Sequence, residues 1–285
     1  MAKHFEALQR AEAERKRKAG VESPDLPPSG AEWDSSSVVP GEARRKGIRR
    51  LLPSFRKEAV DGVDDSANEL NKRRITILQP ESFASEQFRM LRGRIDALAT
   101  QQRLCSVAVT SANPREGKSM ASVNLAVVTG MSVGRRVLLI DCDLRRPKIH
   151  KTLGIEAEYG LAEVVQGDCS FEEGVQTVGS LGIDVLPVCS LPGNPSELLA
   201  SAQMKETLTK ACESYDHVIL DTPACLGLSD TKTISELSDG ILVVVRADVT
   251  RREDVDAIME ILDRRKMIGM VLNDVEPTSG QRGYY

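Results

Sequence analysis

Leu104-Cys105-Ser106-Val107-Ala108-Val109-Thr110 runs directly into Ser111-Ala112-Asn113-Pro114-Arg115-Glu116-Gly117-Lys118-Ser119, and a helical pattern starts at once behind it. The apolar run reads as a strand buried on both faces. The turn after it matches the phosphate-loop pattern, with Ala112 in place of the usual first glycine. Such a loop aims backbone N–H groups at phosphate oxygens at a helix N-terminus. Gly117 lets the backbone approach closely, Lys118 supplies a cation to the β- and γ-phosphates, and the Ser119 hydroxyl ligates Mg²⁺. A strand before and a helix after distinguish this arrangement from a chance Gly-Lys-Ser turn. Residues Ala112, Asn113, Pro114, Arg115, Glu116, Gly117, Lys118 and Ser119 are therefore expected to bind ATP.

Outward from the loop, strand-like runs at 137–141, 183–188, 217–221, 240–246 and 267–272 alternate with helical patterns near 118–131, 196–214, 230–237 and 251–265. A further helix is expected at 83–100, with Ser82 as its N-cap and Phe88, Leu91, Ile95 and Leu98 on one face. Alternating β and α with apolar strands implies an α/β fold: a mainly parallel sheet flanked by helices. Two of the strands end in acids, one in Asp141-Cys142-Asp143 and one in Asp221. An acid ending a strand is ordinarily a turn or cap residue. Parallel sheets, however, bind ligands beyond the C-terminal ends of their strands, where these acids would meet the phosphate loop and hold Mg²⁺.

The chain has 285 residues and a formal net charge of -4. This mild acidity argues against specific nucleic-acid binding, which carries a basic excess. The six cysteines form no Cys-x-x-Cys pair and read as reduced thiols, which places the chain in the cytoplasm. No signal peptide is legible at the N-terminus, and no apolar run approaches the ~20 residues of a membrane span. Residues 1–72 read as a mostly disordered extension: a short charged helix at 5–19, then a Pro- and Ser-rich linker at 20–45. Segment 44–57 is basic with interleaved apolar residues. It has the composition of a membrane-surface segment, but Pro53 breaks the pattern and favours a solvated linker. The ATP-binding domain is expected over 73–280, followed by a short tail at 281–285.

The phosphate loop, the Asp141-x-Asp143-Leu144-Arg145-Arg146-Pro147 strand end and the Ile219-Leu220-Asp221-Thr222-Pro223 strand end together resemble the Walker A, A′ and B motifs of bacterial tyrosine kinases, within the MinD/ParA-like P-loop group. Glu86-x-x-Arg89-x-x-Arg92 resembles that family's Glu-x-x-Arg-x-x-Arg motif, and Asn194-Pro195-Ser196-Glu197-Leu198-Leu199 resembles another of its segments. The resemblance implies protein tyrosine autokinase activity on ATP and Mg²⁺. Lys118 and Ser119 would hold phosphate and metal, Asp143 and Asp221 would be metal-site acids, and Asp141 would help deprotonate the acceptor tyrosine. Glu86, Arg89 and Arg92 would form the interface of a homo-oligomer, and Tyr284 and Tyr285 would accept phosphate. The resemblance also implies a role in exopolysaccharide or capsule export, with a separate membrane co-polymerase-type protein as activator and membrane association through it. Arg115 departs from the family, standing where glycine is usual. Asn113 stands where partition ATPases carry a signature lysine, which counts against the rival reading, a MinD/ParA-like positioning switch without kinase activity.

Overall fold

The computed structural model describes residues 81–275. The expected N-terminal helix, linker and basic segment, the boundary at 73 and the tail with Tyr284 and Tyr285 lie outside the described residues. Seven strands form one sheet: β1 (Ser106–Ser111), β2 (Val137–Asp141), β3 (Gln176–Val178), β4 (Ile183–Leu186), β5 (His217–Asp221), β6 (Gly240–Arg246) and β7 (Met267–Asn273). Their order is β3-β4-β2-β5-β1-β6-β7. Every pairing is parallel except β3 with β4.

The sheet is covered on both faces, as the unbroken apolar strands require. Alternation along β1 sends Val107 and Val109 to one face and Ala108 to the other. On the first face, α1 (Phe83–Ala99) and α2 (Lys118–Gly130) pack over Val107, Val109, Leu139, Ile219 and Leu242. Ile95 is buried there, with Phe88, Leu91 and Leu98 beside it, so the expected stripe of α1 is its buried face. Ser82 caps the helix, its hydroxyl accepting from the Ser85 N–H at 3.2 Å. On the second face, Leu138, Ile140, Val218 and Leu220 meet α4 (Leu161–Gln166), α7 (Ala202–Ser214) and α8 (Asp230–Leu237), while Ile241 and Val243 meet α9 (Arg252–Ile261).

Some elements differ from the sequence reading. The helix expected at 196–214 is two: α6 (Pro195–Leu199) and α7. Ser201 separates them, donating to the Leu198 carbonyl at 2.7 Å and accepting from the Met204 N–H at 3.1 Å. A hydroxyl that serves the backbone on both sides competes with helix continuation. The helix expected to reach 265 ends at Ile261, and Asp263 caps a separate 3₁₀ turn. The short helices α3 (Ile149–Leu153) and α5 (Phe171–Gly174) and edge strand β3 are too brief to show a period.

Candidate active site

Strand order decides the site. β5 lies between β2 and β1, so the chain segments leaving those three strands emerge side by side at the C-terminal edge. Asp141 and Asp221 are paired across the β2–β5 register, and the phosphate loop leaves β1 next to them.

The loop ends in Gly117, the N-cap of α2, with φ 96° and no side-chain cap. The first N–H groups of α2 are thus left to a ligand. Arg115 also takes a left-handed backbone, φ 69°, which explains why glycine suits that position. The frame behind the loop was not legible in the sequence. The buried Glu116 carboxylate accepts from the Asn113 N–H at 2.9 Å and from the Thr250 hydroxyl at 2.6 Å. The Asn113 amide donates to Asp254 at 3.0 Å, and the Asn273 amide donates to the Glu116 carbonyl at 3.0 Å. The side chains of Asn113 and Glu116 therefore hold the loop's shape, and ligand contact from these residues falls to their backbone.

Lys118 opens α2 and points among the acids. Its Nζ is 3.3 Å from Asp143 Oδ2 and 3.3 Å from the Ser119 hydroxyl. Burial works against its charge, but Asp221, Asp143 and Asp141 outweigh it and raise its pKa. Asp221 is fully buried; one oxygen accepts from Ser122 at 3.2 Å, and Oδ2 has no hydrogen-bond partner among the described residues. Burial raises its pKa, with Lys118 and the nearby Ser119 hydroxyl opposing.

Asp141 is equally buried, and its carboxylate accepts from the N–H groups of Asp143 (3.1 Å), Lys148 (3.1 Å) and Ile149 (3.0 Å). Burial, reinforced by Asp221, pushes its carboxyl up to about 7 despite those three donors. Asp141 thus ties down the loop after β2 and sets the position of Asp143. Two residues beyond Asp143, Arg145 pairs with the buried Asp230 at 2.7 Å and donates to the Ser196 hydroxyl at 2.8 Å, while Ser196 lies 2.6 Å from Asp230. This network fastens the loop after β2 to α6 and α8. Its sequence cues are Arg145 within the strand-end motif and Ser196 within the 194–199 segment; Asp230 gave none.

Asp221 Oδ2, Asp143 and the Ser119 hydroxyl fit a Mg²⁺ ion whose remaining ligands are phosphate and water. Among the described residues no group of three or more His, Cys, Asp or Glu could hold a metal ion.

The Glu86, Arg89 and Arg92 side chains do not form one free face. Glu86 pairs with Arg89 on the half-exposed side of α1, whereas Arg92 donates to the Val128 carbonyl near the end of α2 at 2.8 Å. Arg92 is at least in part an internal staple between the two helices. Among the described residues, no helix is long and apolar enough to cross a membrane.

Strand order, loop and acids define a P-loop NTPase fold, and a family model described as an AAA domain matches residues 107–269. The cell division ATPase MinD of Pyrococcus furiosus shares the fold at a TM-score of 0.52 and 22% identity, covering 59% of this chain and 71% of that one. Tyrosine-protein kinase YwqD of Bacillus subtilis (strain 168) is 37% identical over 214 residues, covering 74% of this chain and 90% of that protein. The kinase domain of the Escherichia coli tyrosine kinase ETK superposes with a TM-score of 0.66 at 30% identity, covering 71% of this chain and 82% of that one. The chain belongs to the family of bacterial tyrosine-protein kinases. Other curated relatives are longer: the chain spans 32% and 34% of two of them.

Proposed function

We propose that this protein is an ATP-dependent tyrosine autokinase. It transfers the γ-phosphoryl group to tyrosine hydroxyls on neighbouring subunits, in the control of exopolysaccharide or capsule synthesis or export. The observation that carries the reading is the partnerless, buried Asp221 Oδ2 beside Lys118, Ser119 and Asp143 at the uncapped start of α2.

Lys118 would leave Asp143 and turn to the phosphates, freeing that carboxylate. Ser119, Asp143 and Asp221 would hold Mg²⁺, and the backbone of residues 112–119 would cradle the phosphates. Magnesium, when bound, neutralises charge on the transferred group. Positioning and charge supply most of the catalysis in such reactions, so a rigid loop frame is itself functional. Asp141, its carboxyl raised to about 7, is suited to exchange a proton near neutrality. Its three N–H contacts require the loop after β2 to loosen before it meets a tyrosine hydroxyl. Tyr284 and Tyr285 are the proposed acceptors. The proposed partners are further copies of the chain, contacting through Glu86, Arg89 and Arg92 of α1, and a separate membrane co-polymerase-type activator that brings this protein to the membrane.

The test mixes a Lys118→Met chain carrying the tail with an active chain whose Tyr284 and Tyr285 are phenylalanine, in Mg·ATP. Intact mass and peptide mapping should find phosphate on the last two residues of the Lys118→Met chain. ATP hydrolysis without any phosphate adduct would overturn the kinase reading in favour of a positioning ATPase.

A further inference from the structure

At the opposite edge of the sheet from the phosphate loop, Cys105 immediately precedes β1 and Cys212 lies in the last turn of α7. They are 107 residues apart in sequence yet adjacent in space: Cys105 Sγ lies 3.8 Å from the Cys212 carbonyl oxygen and 3.6 Å from that of Tyr215. Both are partly exposed. A groove of about 250 Å³ gives access, lined by Cys212, Ser106, Arg103, Lys205, Glu236 and Asp239. The segment carrying Cys105 is anchored: Asp239 accepts from the N–H groups of Cys105 and Ser106, each at 2.9 Å. Nothing in the phosphate-transfer chemistry uses either thiol.

We propose that Cys105 and Cys212 are a reversible redox pair, closed to an intramolecular disulfide by hydrogen peroxide entering through this groove. The Cys105 sulfur lies against the backbone of Cys212 on a separate element, and Cys212 lines an open groove, which brings a peroxide-accessible thiol next to a second one. The electrostatics assign the roles. The neighbouring Cys105 lowers the Cys212 pKa; the Ser106 hydroxyl and Arg103 act in the same direction, against burial and Asp239. Its neighbour Cys212 and burial raise the Cys105 thiol. Cys212, which lines the groove where Cys105 does not, and whose thiol is lowered, is the attacking thiolate. Its sulfur bonds to one peroxide oxygen, the O–O bond breaks, and the departing hydroxide takes a proton to leave as water. The Cys105 sulfur then attacks the Cys212 sulfenic acid, the S–S bond forms, and the S–OH oxygen leaves as a second water with the Cys105 proton. Two thiols lose two electrons and peroxide gains them. The closed bond fastens the end of α7 to the start of the strand that carries the phosphate loop.

Full-length protein is exposed to hydrogen peroxide without denaturant, alkylated, and mapped by peptide mass. The expected product is one Cys105–Cys212 cross-link within a single chain, with the loss of two hydrogens, reversed by a thiol reductant. A Cys169→Ser/Cys189→Ser variant should form it unchanged, and Cys212→Ser should not form it. Oxidation confined to the exposed Cys189, a bond between chains, or sulfinic acid on Cys212 with Cys105 still free would each overturn the proposal. Mapping of the parent chain decides the matter even if Cys212→Ser does not fold. Because the readout is a cross-link, its failure leaves the kinase reading untouched, and failure of that reading leaves the cross-link testable.

Discussion

Replacing Gly117 by alanine tests the loop frame directly. Two separate costs can be read from the structure. The backbone at Gly117 has φ 96°, and a side chain in left-handed conformation costs about 1–2 kcal/mol. The new Cβ would also fall 2.0 Å from Asn273 Nδ2, so the Asn273 amide must swing away and release the Glu116 carbonyl. A lost hydrogen bond adds about 1 kcal/mol. Gly117→Ala should therefore destabilise the domain by about 2–3 kcal/mol in urea unfolding. Asn273→Ala alone loses only the hydrogen bond, about 1 kcal/mol. In the double variant there is no amide left to displace, so only the backbone strain is added. The double-mutant cycle should show about 1 kcal/mol of coupling. Additive single effects, or a Gly117→Ala midpoint equal to the parent's, would refute the claim that Gly117 and Asn273 compete for the same space.

Lys118→Met should abolish nucleotide binding, read by fluorescent-nucleotide titration, while circular dichroism shows the fold retained; turnover at the parent rate would remove Lys118 from the site. Asp141 has a folded pKa of about 7 against an ordinary value of 3.8, so the native state keeps a proton that the unfolded chain has already lost. Its contribution to stability is complete below 3.8 and fades as pH rises toward about 7, and Asp141→Asn should flatten the urea midpoint over that range. Arg115→Gly should relieve the left-handed backbone and stabilise by about 0.5–1 kcal/mol in the same assay. Arg92→Ala should cost about 1 kcal/mol through the released Val128 carbonyl. Glu86→Ala with Arg89→Ala, a half-exposed pair, should leave the midpoint within about 0.5 kcal/mol and reduce self-association in sedimentation.

The legible part of this protein is what repeats or punctuates. Strands β2, β5 and β6 and helix α8 have the bounds their apolar patterns predict, because each is long enough for its pattern to show. The sequence also placed Lys118, Asp143 and Asp221 near one another, since parallel strands deliver their C-terminal ends to one edge. The frame remained hidden for a different reason. Thr250, Asp254 and Asn273 meet the loop from 134, 141 and 157 residues away in sequence, and no local pattern announces such a contact. Arg92 shows the limit of face-counting. Its position on α1 suggested a free charged surface, yet its long side chain reaches the Val128 carbonyl.

Lys118 faces three carboxylates, those of Asp141, Asp143 and Asp221, all withdrawn from water. One ammonium among three acids leaves the cluster short of positive charge, all the more once Lys118 turns to a phosphate. A nucleotide stripped of its metal brings only more negative charge and meets net repulsion, whereas the same nucleotide escorted by a divalent ion brings the charge the acids lack. On the proposed reading the arrangement would filter the form of the incoming molecule: a chelator should weaken nucleotide binding, and the metal-free anion should compete poorly.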